Sequence, residues 1–166
     1  MNQADVLCYF LQRNQDFIMN ATEGLAQTES VLQLPGASNC MNWILGHVAA
    51  YRDVMLAVIL QPAYMSTAEV KLYEAESQPI SSTSKSVPMD HLLRLLEHGF
   101  KTLTGWLQSN PDGLPALQTQ TADLYTSYGA TAAEKMVFLC WHESNHVGEL
   151  HALRELALVS LGKGWK

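Results

Sequence analysis

The spacing of apolar residues constrains this chain more than any other feature. They recur three, four and seven positions apart almost throughout, which is the period of a helix with one buried face. Leu7, Phe10, Leu11, Phe17 and Ile18 set that pattern over a first helix expected from about residue 4 to 29. Pro35-Gly36 then breaks the chain. Ser38 or Asn39 is placed to cap a second helix, which continues to about Leu60 and stops before Pro62. Ser86 and Pro88 signal the start of a third long helix, carrying Leu92, Leu95, Leu96, Phe100, Leu103 and Leu107. Asn110-Pro111-Asp112-Gly113 ends it. Thr131 and Glu134 have capping-box spacing, and the last helix runs from there to about Ser160, with Gly162 just beyond. Residues 61–85 allow a short helix around 66–76 and a Ser-rich loop, while 111–129 read as loop. No segment alternates as a strand does.

Long helices with one apolar stripe each must bury those stripes against one another. The expected fold is therefore all-α, a four-helix bundle forming a single domain over residues 1–166. The connections 61–85 and 111–129 are long enough for a crossover, so simple up-and-down order is not required. A chain of 166 residues with 48% hydrophobic and 16% charged side chains can build such a core without disulfides. Cys8, Cys40 and Cys140 lie in apolar stretches and read as reduced core residues. The net charge of −6 and ten scattered Lys and Arg residues argue against nucleic acid as a partner. The N-terminal MNQADVLCYF lacks the pattern of a secretory signal, and the aliphatic run Val54 to Leu60 is too short to span a bilayer. A cytoplasmic protein with no membrane partner is the expectation.

Chemistry concentrates in the histidines. His142 and His146 stand four apart, about 40° apart on a helical wheel and one turn apart along the axis, so one metal ion can take both imidazoles. The segment His142-Glu143-Ser144-Asn145-His146 also has the H-E-x-x-H form of a zinc peptidase, with Glu143 as general base. That alternative fares poorly. His151 points about 140° away from His146 on the wheel, no Glu follows Glu155, and the upstream strands of that class are missing. His47 lies inside an apolar stretch of the second helix, where an unpaired imidazole is costly; alone it reads as a hydrogen-bonded core residue, and beside the 142/146 pair it becomes the candidate third ligand. His91 and His98 are seven apart and read as a solvated or hydrogen-bonded pair in preference to a second site. His151 reads as surface, and Trp43, Tyr51 and Trp141 as core packing. Gly46 and Gly148 flank ligands, and a close approach of helices at the site would account for both.

The segments Asn39-x-x-x-Trp43-x-x-Gly46-His47 and His142-x-x-x-His146-x-Gly148-Glu149-Leu150 resemble the DinB/YfiT-like family, regarded as metalloenzymes. The resemblance covers the second and fourth long helices and the helical layout. It implies a four-helix bundle holding one divalent metal, zinc or nickel, on His47, His142 and His146. It also implies a homodimer, a small-molecule substrate, and either transfer chemistry with a small cellular thiol or hydrolysis. Where the family often has Gln, this chain has Glu149, about 40° from the centre of the ligand face against about 80° for Glu143. Glu149 or Glu143 is then the candidate proton acceptor, with Glu149 alternatively orienting a histidine, coordinating the ion or simply solvated. A non-catalytic metal-binding module is the competing class.

Overall fold

The computed structural model describes residues 2–34, 39–117 and 125–163, and all its regular structure is helical. The first helix, α1 (Gln3–Thr22), opens on a reciprocal cap. Asn2 accepts from the Asp5 N–H at 2.8 Å, and Asp5 accepts from the Asn2 N–H at 2.9 Å. Its buried stripe is Ala4, Leu7, Leu11, Ile18 and Ala21. The expected continuation to residue 29 does not occur. The Thr22 hydroxyl turns back onto the Ile18 carbonyl, and Gly24 takes φ +72°. That left-handed residue is a usual helix terminator. A four-residue α2 (Gln27–Ser30) follows.

The second long helix, α3 (Met41–Val58), is buried on nearly every side. It has Cys40 at its N-cap position in place of Asn39, and Ser38 lies outside the described residues. Leu60 closes it at φ +58°, a left-handed position normally given to glycine, while the Gln61 N–H donates to the Leu56 carbonyl at 2.8 Å. Next comes α4 (Thr67–Tyr73), capped reciprocally by Ser66 and Glu69, within the expected 66–76. After a 3-10 turn at 83–85, α5 (Met89–Ser109) buries Leu92, Leu96, Gly99, Leu103 and Leu107 along one line. The region read as loop contains a short α6 (Gly113–Ala116) and a 3-10 turn at 126–128, and 118–124 lie outside the described residues. The longest helix, α7 (Ala132–Ser160), carries the predicted Thr131–Glu134 cap, and Gly162 just beyond its end takes φ +67°.

Both α1 and α3 pack against α5 and α7, and α4 packs on α3. The apolar interior falls into two clusters. One gathers around Ile44, Val48, Leu92, Leu96, Leu150 and Leu153, the other around Leu7, Leu11, Met55, Leu103 and Leu139. Between them along the helices lies a buried polar layer of Gln15, Arg52 and Glu143. A Cβ on Gly99 would lie 3.3 Å from the Arg52 Cβ, so glycine there makes room for the arginine stem. No helix among the described residues is long and apolar enough to cross a membrane.

Candidate metal centre

Three imidazoles converge where α3 faces α7. His47 comes from α3, and His142 and His146 from consecutive turns of α7. One nitrogen from each lies within 4.8 Å of the other two. Nitrogens sharing a tetrahedral ion at about 2.0–2.1 Å sit roughly 3.3 Å apart, so a modest tightening closes the set around one ion. Ring centroids are 5.2 Å apart for His47 and His142, and 4.6 Å for the other two pairs.

The protonation state suits ligation. His47 is 2% exposed, and burial with two neighbouring imidazoles pushes it down to about 4, against the opposing pull of its bond to the Tyr73 carbonyl. Burial, and then His146, push His142 down to about 4 as well. Burial also lowers His146, partly offset by the Glu149 charge. All three are neutral near pH 7, as a metal requires of them. Two of the rings also carry an unpartnered nitrogen. The Nδ1 atoms of His142 and His146 are buried and have no hydrogen-bond partner among the described residues. Such orphans are rare in folded proteins, and a shared cation would satisfy the rings that carry them.

Aromatic side chains wall the cluster. Trp43 stacks on His47 at 4.4 Å and 17°, and Tyr51 stacks on His142 at 4.2 Å and 27°. Beyond Tyr51, the Tyr128 hydroxyl donates to that of Tyr51 at 3.4 Å, and Phe138 lies parallel to Tyr128. Trp43 is buried as expected, but Trp141 is 59% exposed. It occupies the outer side of α7, where one residue's step from His142 turns the side chain about 100°.

No protein-family model and no curated protein matches this chain.

The two candidate carboxylates part company. Glu149 carries its Oε1 3.7 Å from His146 Nδ1, beyond hydrogen-bond length, on a side chain that is 54% exposed. Glu143 is 0% exposed and is taken by Arg52, with Nε donating to Oε2 at 3.1 Å and Nη2 to Oε1 at 2.7 Å. A carboxylate held by a bidentate guanidinium is a poor general base, which weighs further against the peptidase reading. Of the remaining histidines, His91 bonds Glu69 at 2.8 Å, and the His98 ring meets Tyr64 edge to face at 4.7 Å. Neither belongs to a three-ligand group among the described residues. His151 is exposed.

The two glycines also separate. A Cβ at Gly46 would overlap the Tyr73 ring, so close approach does account for it, though α4 is the partner and not α7. A Cβ at Gly148 would meet nothing within 4 Å, and close packing does not explain that residue. Sequence reasoning missed Arg52 and Gln15. The one available signal was an arginine inside the apolar run Val48 to Val58, where an exposed charge has no place.

Proposed function

We propose that this chain is a DinB/YfiT-like four-helix bundle with long crossover connections, binding one zinc or nickel ion, and that it acts as an S-transferase using a low-molecular-weight thiol. The observation that supports this most is the convergence of three neutral imidazoles, two of them with an orphaned buried nitrogen. His47, His142 and His146 would hold the ion. Three protein ligands leave a position for a small molecule, whereas a purely structural zinc site is usually closed by four. A bound divalent ion supplies Lewis acidity, bringing the pKa of a coordinated thiol or water toward neutrality.

The chain's own residues do the rest. Trp43 and Tyr51 cover faces of His47 and His142 and keep bulk water from those rings, which strengthens electrostatic interactions at the site. Glu149, half exposed beside His146, is placed to accept a proton leaving the small molecule. The same reading includes a homodimer in the cytoplasm, checked by sedimentation and cell fractionation.

Elemental analysis of wild type and His47→Ala is the first test, with about one transition metal per chain expected in the first and loss in the second. Conjugation of an electrophile with several small thiols, with and without chelator, tests the activity. Metal-dependent consumption of the electrophile by water alone would make the protein a hydrolase. Metal uptake without turnover, together with unfolding on chelation, would make it a non-catalytic metal-binding module.

A further inference from the structure

Tyr73, the last residue of α4, is 0% exposed, and each part of it is tied to one stretch of α3. Its carbonyl lies 2.7 Å from His47 Nδ1. A carbonyl oxygen only accepts, so the proton sits on Nδ1 and leaves Nε2 as the nitrogen with a free lone pair. Its hydroxyl donates to Asn42 Oδ1 at 2.8 Å and accepts from the Val87 N–H at 2.9 Å. Asn42 Nδ2 donates in turn to the Val87 carbonyl at 2.9 Å, which closes a cycle of three hydrogen bonds. The ring packs against Gly46, where any Cβ would displace it. Trp43 adds an outer tie. Its Nε1–H donates to Ser77 Oγ at 2.8 Å, and that hydroxyl donates to the Leu72 carbonyl at 2.9 Å.

The last-turn carbonyls of any helix lack partners within it. Here one of them is spent on a buried imidazole that faces two others. We propose that Tyr73 is a positioning residue for the metal ligand His47. Its carbonyl fixes the Nδ1–H form and leaves Nε2 for an ion shared with His142 and His146. Its hydroxyl cycle with Asn42 and Val87 holds that carbonyl in place. The inference rests on the metal-site reading above and explains why α4, a short helix in a long connection, is stapled to α3 at this point. Partners of this kind, bonded to the far nitrogen of a ligand histidine, typically change metal affinity or activity 10- to 100-fold when altered.

The test uses the full chain and two readouts. Long-range imidazole nitrogen spectra of the metal-free protein report which nitrogen of His47 carries the proton. Competition with a chromophoric chelator gives the zinc affinity. Wild type should show Nδ1–H at His47. Tyr73→Phe keeps the ring but opens the cycle, and should lose that signature and bind zinc about tenfold more weakly. Asn42→Leu opens the cycle from α3 and should do the same if Tyr73→Phe does not fold. Tyr64→Phe removes a comparable hydroxyl, bonded to Thr102 at 2.8 Å, and should leave both readouts unchanged. A proton on Nε2 in the wild type would overturn the proposal. So would a Tyr73→Phe protein that keeps both the signature and the affinity of Tyr64→Phe. A wild type that keeps Nδ1–H at His47 but takes up no zinc would overturn the metal reading, and with it the role of Tyr73 as a positioner of a metal ligand. A wild type that takes up zinc with the proton on Nε2 would overturn the Tyr73 role alone.

Discussion

Two polar clusters lie between α3 and α7, one of them fully buried and the other partly so, and they are completed in opposite ways. Arg52 and Glu143 form a closed set. The guanidinium meets both carboxylate oxygens, Gln15 Oε1 at 2.7 Å and the Leu96 carbonyl, and Gly99 clears space for its stem. His47, His142 and His146 form an open set, with two buried nitrogens that have no hydrogen-bond partner among the described residues. His142 and Glu143 are adjacent in the chain, so the difference reflects which face of α7 each residue occupies. The lesson is that burial of polar groups has two meanings. A satisfied group ties helices together, whereas an unsatisfied one leaves polar atoms that a cation could take up.

The sharpest way to break this comparison is to open the closed set. Arg52→Met strands a buried carboxylate and should cost about 3–5 kcal/mol in denaturant unfolding, while Arg52→Met with Glu143→Leu should recover most of it. Equal loss in the single and double variants would mean that the charge pair is not what matters at this layer.

Acid probes the open set. His47 titrates near 4 when folded and near 6.5 when unfolded, so between those values the unfolded chain binds more protons. Stability of the metal-free protein is therefore fully present above pH 6.5 and falls as pH drops toward 4, by about 3 kcal/mol from His47 alone. His47→Gln should flatten that slope in a pH series of unfolding curves.

Filling the open set should stabilise it. Zinc at a hundredfold excess over its Kd should add about 2.7 kcal/mol, seen as a rise in Tm that His142→Ala removes. The smallest effect concerns the glycine beside the site. Gly148→Ala, entering open space in a helix, should stabilise by about 0.5–1 kcal/mol and leave zinc uptake unchanged. Loss of zinc binding in that variant would show that Gly148 serves the site after all.

Much of this was legible from local pattern. The apolar period located the long helices, and Thr131 with Glu134 marked the start of α7, because both signals act within a few residues of themselves. Two members of the histidine trio were legible because they stand a helical turn apart; the third, His47, was legible through the Asn39-x-x-x-Trp43-x-x-Gly46-His47 motif, since a lone core histidine reads locally as hydrogen-bonded. What escaped depends on distant partners. Nothing local distinguishes Glu143 as the mate of Arg52, 91 residues away, from Glu143 as a catalytic base. Nor does a single glycine reveal that Gly24 would take φ +72° and cut the first helix short. Gly46 was noticed, but only the fold could show that Tyr73 was the reason.

The closed pair also acts as a detent. Rows of aliphatic side chains resist separation better than they resist sliding, since one hydrocarbon contact is much like the next. Shifting α7 along α3 by one turn, about 5.4 Å, would set the Arg52 guanidinium at the level of Leu139 or Val147, both buried, with no carboxylate in reach. The helices therefore have one seated alignment, and His142, the residue next to Glu143, is delivered opposite His47 by it.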